Sequence, residues 1–156
     1  MHTVFMDLCE NIVFDTKAAK EVLSKLNLSK EFTISPRWKG TTYSPEVFTP
    51  LSMAVFYSNL AMVELLLSLG ANPNVIYNGD KNVLWDLQYN DGAADEENET
   101  RLIIARKLLE NGADPCIVVE GEDLYHYVLS CFQDDFGELA KYRMRFIDLL
   151  EEFIDD

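Results

Sequence analysis

Two histidines and three cysteines are the side chains here best suited to nucleophilic, acid–base or metal chemistry: His2, His126, Cys9, Cys116 and Cys131. Cys116, His126 and Cys131 follow one another at steps of ten and five residues. A structural zinc site of Cys and His draws on two close ligand pairs, and steps of ten and five supply at most one, so this spacing fits no zinc pattern. His126 stands between Tyr125 and Tyr127 in an apolar run, which suits a packed or surface histidine. His2 sits at a chain end. The adjacent carboxylates Glu96-Glu97 and Asp134-Asp135 lie in polar stretches, whereas acid–base work by a carboxylate pair needs a setting that raises one pKa. The chain contains no G-x-S-x-G, P-loop or G-x-G-x-x-G, so neither a nucleophile elbow nor a phosphate cradle is expected. The reading is a non-enzyme without cofactor or metal. Its enzymatic alternative is a small hydrolase or metal-dependent enzyme built on His126 with nearby Asp or Cys.

Charge narrows the partners. Of 156 residues, 13 are Lys or Arg and 27 are Asp or Glu, for a formal net charge of -14. Such a chain repels phosphate, which argues against nucleic acid and anionic membrane surfaces, and it steers a basic protein toward itself. The odd, low cysteine count argues against a disulfide framework. The start, MHTVFMDLCENIV, has no basic region ahead of a clean apolar stretch, unlike a signal peptide, and no apolar run approaches the roughly 20 residues of a membrane span. A cytoplasmic, monomeric protein is expected.

The elements that must carry these side chains are helices in a repeating order. Thr49-Pro50 is a helix start, with Pro at the first helical position and Thr able to cap free amides. Leu51, Ala54 and Val55 share one face. Tyr57-Ser58-Asn59 break the pattern. A second helix begins near Leu60, with Val63, Leu66, Leu67 and Gly70 in register, Gly70 as its left-handed stop and Pro73 beyond it. The unit recurs. Asn82–Asn90 follows Thr49–Tyr57 at an offset of 33, and the ENGADPC stretch follows SLGANPN at 42, so Gly112 falls on Gly70. The nine extra residues form an acidic insertion within 90–100. A weaker copy runs from Asp123 to Asp156. Upstream, two helices are expected within 1–35, joined by an extended finger that contains Arg37, Trp38 and Lys39.

These residues resemble the ankyrin-repeat signature, T-P-L-H-x-A-A followed by V-x-L-L-L-x-x-G-A-D-x-N: Thr49, Pro50, Leu51, Ala54, Val63, Leu65, Leu66, Leu67, Gly70, Ala71 and Asn74 stand at its positions, with Ser52 where the signature has His. The resemblance implies an all-α ankyrin-repeat solenoid of helix-turn-helix repeats with β-turn fingers. About four repeats would make one domain over 1–156: a cap at 1–35, repeats at 36–75 and 76–116, the latter carrying the insertion, and a cap at 117–156. A single repeat cannot bury its own apolar face, and stacking creates the core.

The resemblance also implies a concave protein-binding face formed by finger tips and first helices. The residues just before each helix break point into it: Phe56 and Tyr57, then Tyr89 and Asn90, then Leu129 and Ser130. Finger residues Ile76, Tyr77, Asn78 and Lys81 extend that face. Asp95, Glu96 and Glu97 of the insertion are expected to meet a basic partner. Trp85 is expected in the core. The functional expectation is a non-catalytic module that binds and inhibits a basic protein, such as a toxin or nuclease, in the manner of an immunity protein or antitoxin. The alternative is an adaptor or host-directed effector that recognises a neutral surface.

Overall fold

A computed structural model describes residues 1–11, 14–88 and 95–154. The chain divides into two compact units, Met1–Asn72 and Pro73–Asp156.

The first unit runs α1 (His2–Glu10), α2 (Thr16–Ser24), β1 (Phe32–Ile34), β2 (Arg37–Trp38), β3 (Thr41–Thr42), β4 (Glu46–Phe48), α3 (Pro50–Phe56) and α4 (Leu60–Ser68). The segment between the first two helices and Thr49 is a two-stage hairpin. β1 pairs antiparallel with β4, Phe32 opposite Phe48, and β2 with β3, Trp38 opposite Thr41. The turn at Lys39-Gly40 has positive φ at both residues, 49° and 80°, the handedness that matches strand twist in a two-residue loop. The protein is mostly helical, in keeping with the helical expectation, and its fingers contain short strand pairs.

Local chemistry explains the helices that follow. Thr49 Oγ1 accepts the Ser52 amide N–H at 3.2 Å, and Ser52 Oγ accepts the Thr49 amide N–H at 2.8 Å, a capping box that satisfies two amides left over at a helix start. Gly70, at φ 91°, closes α4: its N–H bonds the Leu67 carbonyl and that of Ala71 bonds the Leu66 carbonyl, the paired pattern of a Schellman stop. Phe5, Cys9, Met53, Ala54, Met62, Val63 and Leu66 are fully buried, and α1 packs on α2, α3 and β1.

The second unit runs α5 (Val83–Asp86), α6 (Asp95–Glu110), β5 (Val118–Val119), β6 (Glu122–Asp123), α7 (Leu124–Phe132) and α8 (Gly137–Glu151). Tyr77 and Lys81 form an antiparallel bridge around the tip Asn78-Gly79, and β5 pairs with β6 around Glu120-Gly121. These tips repeat the two positive φ values of Lys39-Gly40. Gly112 ends α6 with the same paired bonds as Gly70, here to Leu109 and Leu108. Leu84, Leu87, Ile104, Leu108, Leu124, Val128, Phe146 and Leu150 form its core. Residues 95–100, expected within the polar insertion, are the first turns of α6. Carboxylates at a helix N-terminus offset the positive end of the helix dipole, so an acidic stretch without apolar periodicity can still be helical.

Candidate protein-interaction surface

In the first unit the finger leans on the end of α3. Tyr57 Oη accepts the Arg37 amide N–H at 3.0 Å, and the Tyr57 ring lies 6.1 Å from that of Trp38. The Arg37 guanidinium is held by Asp7 and, at 3.3 Å, by Glu10. Phe56 meets Phe48 and Tyr57 edge-on, with centroids 5.5 and 5.0 Å away. Phe56 keeps 37% of its surface exposed and Tyr57 only 5%. Phe56 is thus partly exposed and Tyr57 is not. Tyr57 is corrected to a packed ring that anchors the finger, and burial pushes its hydroxyl pKa up.

In the second unit the first finger is anchored in the same way. Tyr77 is 4% exposed and its hydroxyl donates to Asp86 Oδ2, so it too is corrected from a surface contact to a buried strut. Burial pushes the Asp86 carboxyl up to about 6, against the opposing pull of the Tyr77 hydroxyl. Ile76 and Asn78 are exposed and Lys81 is half-buried. Asn74 joins the roots of the two fingers: its Nδ2 donates to the Gly112 carbonyl, and its Oδ1 accepts the Asp114 amide N–H, both at 2.8 Å. Trp85 donates from Nε1 to the Ile117 carbonyl at 3.1 Å and rests against Tyr127. Half-buried Leu129 and exposed Ser130 lie on α7.

The other expected contact residues part ways. Tyr89 and Asn90 lie outside the described residues, as does the start of the acidic insertion. Asp95 begins α6, Glu96 is exposed and Glu97 half-buried. Glu99 is bonded to Arg145, in one arm at 3.0 Å. His126 lies exposed with Nδ1 against the Asp123 carboxylate at 2.8 and 2.9 Å. The carboxylate is held below its usual range, first by the His126 backbone N–H and then by the ring. Among the described residues no three His, Cys, Asp or Glu side chains converge in a metal-holding group. Burial pushes the thiols of Cys9 and Cys116 up, away from the thiolate form a nucleophile needs.

Sequence reasoning missed two asparagines that organise the helix starts. Asn59, fully buried, donates from Nδ2 to the carbonyls of Cys9 (2.9 Å) and Asn11 (3.1 Å) while its Oδ1 caps the Met62 amide. Asn82, equally buried, donates to Pro73 and Val75 and caps Leu84. The signal available was Asn immediately ahead of an apolar run.

A Thr-capped short helix, a tight break at Asn59, a second helix with a left-handed glycine stop and a finger at Asn78 thus follow in order. Residues 48–78, the same stretch, match the family model described as ankyrin repeat. The chain contains an ankyrin repeat. No curated protein matches the chain. Ankyrin repeats generally mediate protein–protein interaction, as a typically non-catalytic module. In this ankyrin repeat Ser52 stands where the signature has His, and it serves the repeat's own helix start rather than a neighbouring turn. No described helix is long and apolar enough to cross a membrane.

Proposed function

We propose that this chain is a non-catalytic binding module that holds and inhibits a basic protein partner, in the manner of an immunity protein or antitoxin. It would work in the cytoplasm, as a monomer when free, with about four ankyrin-type units lining a concave face. The observation that carries the reading is an ankyrin repeat within a chain of formal net charge -14. The mechanism is occlusion: carboxylates cover a cationic site while exposed apolar side chains supply contact area. The test is purification of the native protein, mass spectrometry of what stays attached, and binding of that partner across ionic strength. A cationic partner whose affinity falls steeply with salt is expected. A neutral partner bound equally at low and high salt overturns the electrostatic reading.

One observation favours the second reading, an adaptor or host-directed effector that recognises a neutral surface. Phe56 presents a large ring partly to solvent, braced by Phe48 and Tyr57, and rigid aromatics of this kind anchor many interfaces. Phe56→Ala abolishing capture while neutralised carboxylates leave it intact would favour this reading.

A further inference from the structure

Two ion pairs tie α6 to α8. Arg145 holds Glu99 by both arms, one of them at 3.0 Å, and Arg106 holds Glu152 at 2.8 and 3.0 Å. Each pair joins residues 46 positions apart, so the two helices lie side by side, in the same direction and in step. Glu99, Ile103 and Arg106 share one face of α6, and Arg145, Asp148 and Glu152 one face of α8. Seven residues separate the first pair from the second, roughly 10 Å along each axis. These six side chains line a groove of about 290 Å³, together with Leu102 and Leu149, which are buried.

One apolar side chain and one charge are left open in that groove. Ile103 is 44% exposed, whereas its neighbours Leu102, Ile104 and Ala105 are buried. Asp148 is exposed and takes part in neither pair, and its carboxylate has no other partner among the described residues. The two cations of the lining, Arg106 and Arg145, are both forked onto carboxylates, the arrangement that satisfies a guanidinium best. Three carboxylates against two guanidiniums leave the lining one negative charge in excess, and Asp148 carries it. The surroundings reinforce that sign: residues 73–156 hold 20 Asp and Glu against 7 Lys and Arg, a net of -13.

These features select a guest. The groove is too small for a helix and suits a single long side chain. An anionic head would have to break one of the two forks to find a cation. An apolar stem ending in a cation meets both open groups at once, and Lys and Arg are built that way. We infer that the groove between α6 and α8 docks one lysine or arginine side chain of a protein partner, its stem on Ile103 and its cationic head on Asp148, with the Glu99–Arg145 and Arg106–Glu152 pairs closing the two ends. This rests on the reading of a basic partner, and it places a contact on α6 and α8, outside the fingers and first helices.

The test titrates the isotopically labelled full chain, at constant ionic strength, with n-butylammonium, a lysine side chain without its backbone. 1-Butanol and pentanoate put a neutral and an anionic head on the same four-carbon stem. Butylammonium should bind best and pentanoate worst, with shifts at the Ile103 methyls and at the amides of 102–106 and 145–149. Asp148→Asn should weaken butylammonium about three- to fivefold, the worth of one exposed ion pair, and leave butanol unchanged. Ile103→Ser should weaken both. Asp134→Asn, a carboxylate outside the groove, should change butylammonium binding less than about twofold. Unchanged amide positions in α7 report that each variant is folded. Preference for pentanoate, shifts outside the groove, or equal weakening by Asp148→Asn and Asp134→Asn overturn the inference. So do shifts at the same amides on raising the protein concentration alone, which would seat a second copy there. A natural partner that proves neutral sinks the basic-partner reading and leaves the groove's preference for butylammonium standing. A basic partner whose capture is untouched by Asp148→Asn and Ile103→Ser does the reverse.

Discussion

The side-chain amide of Asn59 donates to the backbone carbonyl of Cys9 at 2.9 Å across fifty positions of sequence. The same side chain caps α4, so one buried residue satisfies the last turn of α1 and the first of another helix. Asn59→Ala should destabilise the protein by about 2–4 kcal/mol, the sum of a lost cap and carbonyls left unbonded in the interior. Asn59→Asp should do no better, because it keeps the acceptor for Met62 and turns an anion toward the Cys9 and Asn11 carbonyls. Denaturant unfolding of the three proteins checks both statements. A loss below about 0.5 kcal/mol for Asn59→Ala, the range of ordinary surface changes, would refute them.

Asp86 makes stability depend on pH in the direction opposite to most carboxylates. Its folded-state pKa is raised to about 6, above the ordinary value near 3.8, so the folded protein binds a proton there more readily than the unfolded chain. The favourable contribution is fully present below about pH 4 and is lost as pH rises through 6, by roughly 2–3 kcal/mol in all. Asp86→Asn should therefore gain stability relative to the parent between pH 4 and 7, and stability–pH curves for the pair display the difference directly. Parallel curves would mean that Asp86 titrates as an ordinary surface carboxylate.

Tyr77→Phe removes the hydroxyl that donates to Asp86 Oδ2. A loss of about 1–2 kcal/mol is expected at neutral pH, together with an upward move of the Asp86 titration, because that hydroxyl favours the ionised form. The second half separates a hydrogen-bonded strut from mere packing, and proton titration of Asp86 by nuclear magnetic resonance reads it.

The two glycine stops should respond alike. Gly70 and Gly112 have φ of 91° and 92°, and a Cβ added at either meets nothing within 4 Å. The effect of Gly→Ala is thus conformational, about 1–2 kcal/mol at each, with Asn costing less than Ala. Thermal or denaturant unfolding of the four variants settles it, and a neutral Gly112→Ala would show that the left-handed stop of α6 is dispensable.

Cys9 should be silent toward thiol reagents in the folded protein. Its side chain is fully buried and its pKa pushed well above the ordinary thiol value by burial, so reaction requires opening. Labelling followed by mass spectrometry should find Cys131 and Cys116 modified before Cys9, and Cys9 modified at the rate at which α1 opens.

Much of this architecture was legible because it is written in short-range chemistry. Thr49-Pro50, Gly70, Gly112 and the apolar face through Val63, Leu66 and Leu67 announce starts, stops and buried sides within one or two turns of chain. The failures are long-range. Tyr57 and Tyr77 read as surface rings because their matched positions face outward in the resembling family. Their burial depends on finger partners, Arg37 and Trp38 for one and Asp86 for the other, that no local window contains. The start of α6 was missed because DEENET carries no apolar period. Part of its anchorage is Glu99 meeting Arg145, forty-six residues away. The finger tips were readable in retrospect: Lys39-Gly40, Asn78-Gly79 and Glu120-Gly121 each place a residue and then a glycine where both φ must be positive.

The bonds from Asn74 to Gly112 and Asp114 set the pitch between successive fingers at their bases. Replacing Asn74 would therefore part the two finger bases while leaving the strand pairing within each finger intact.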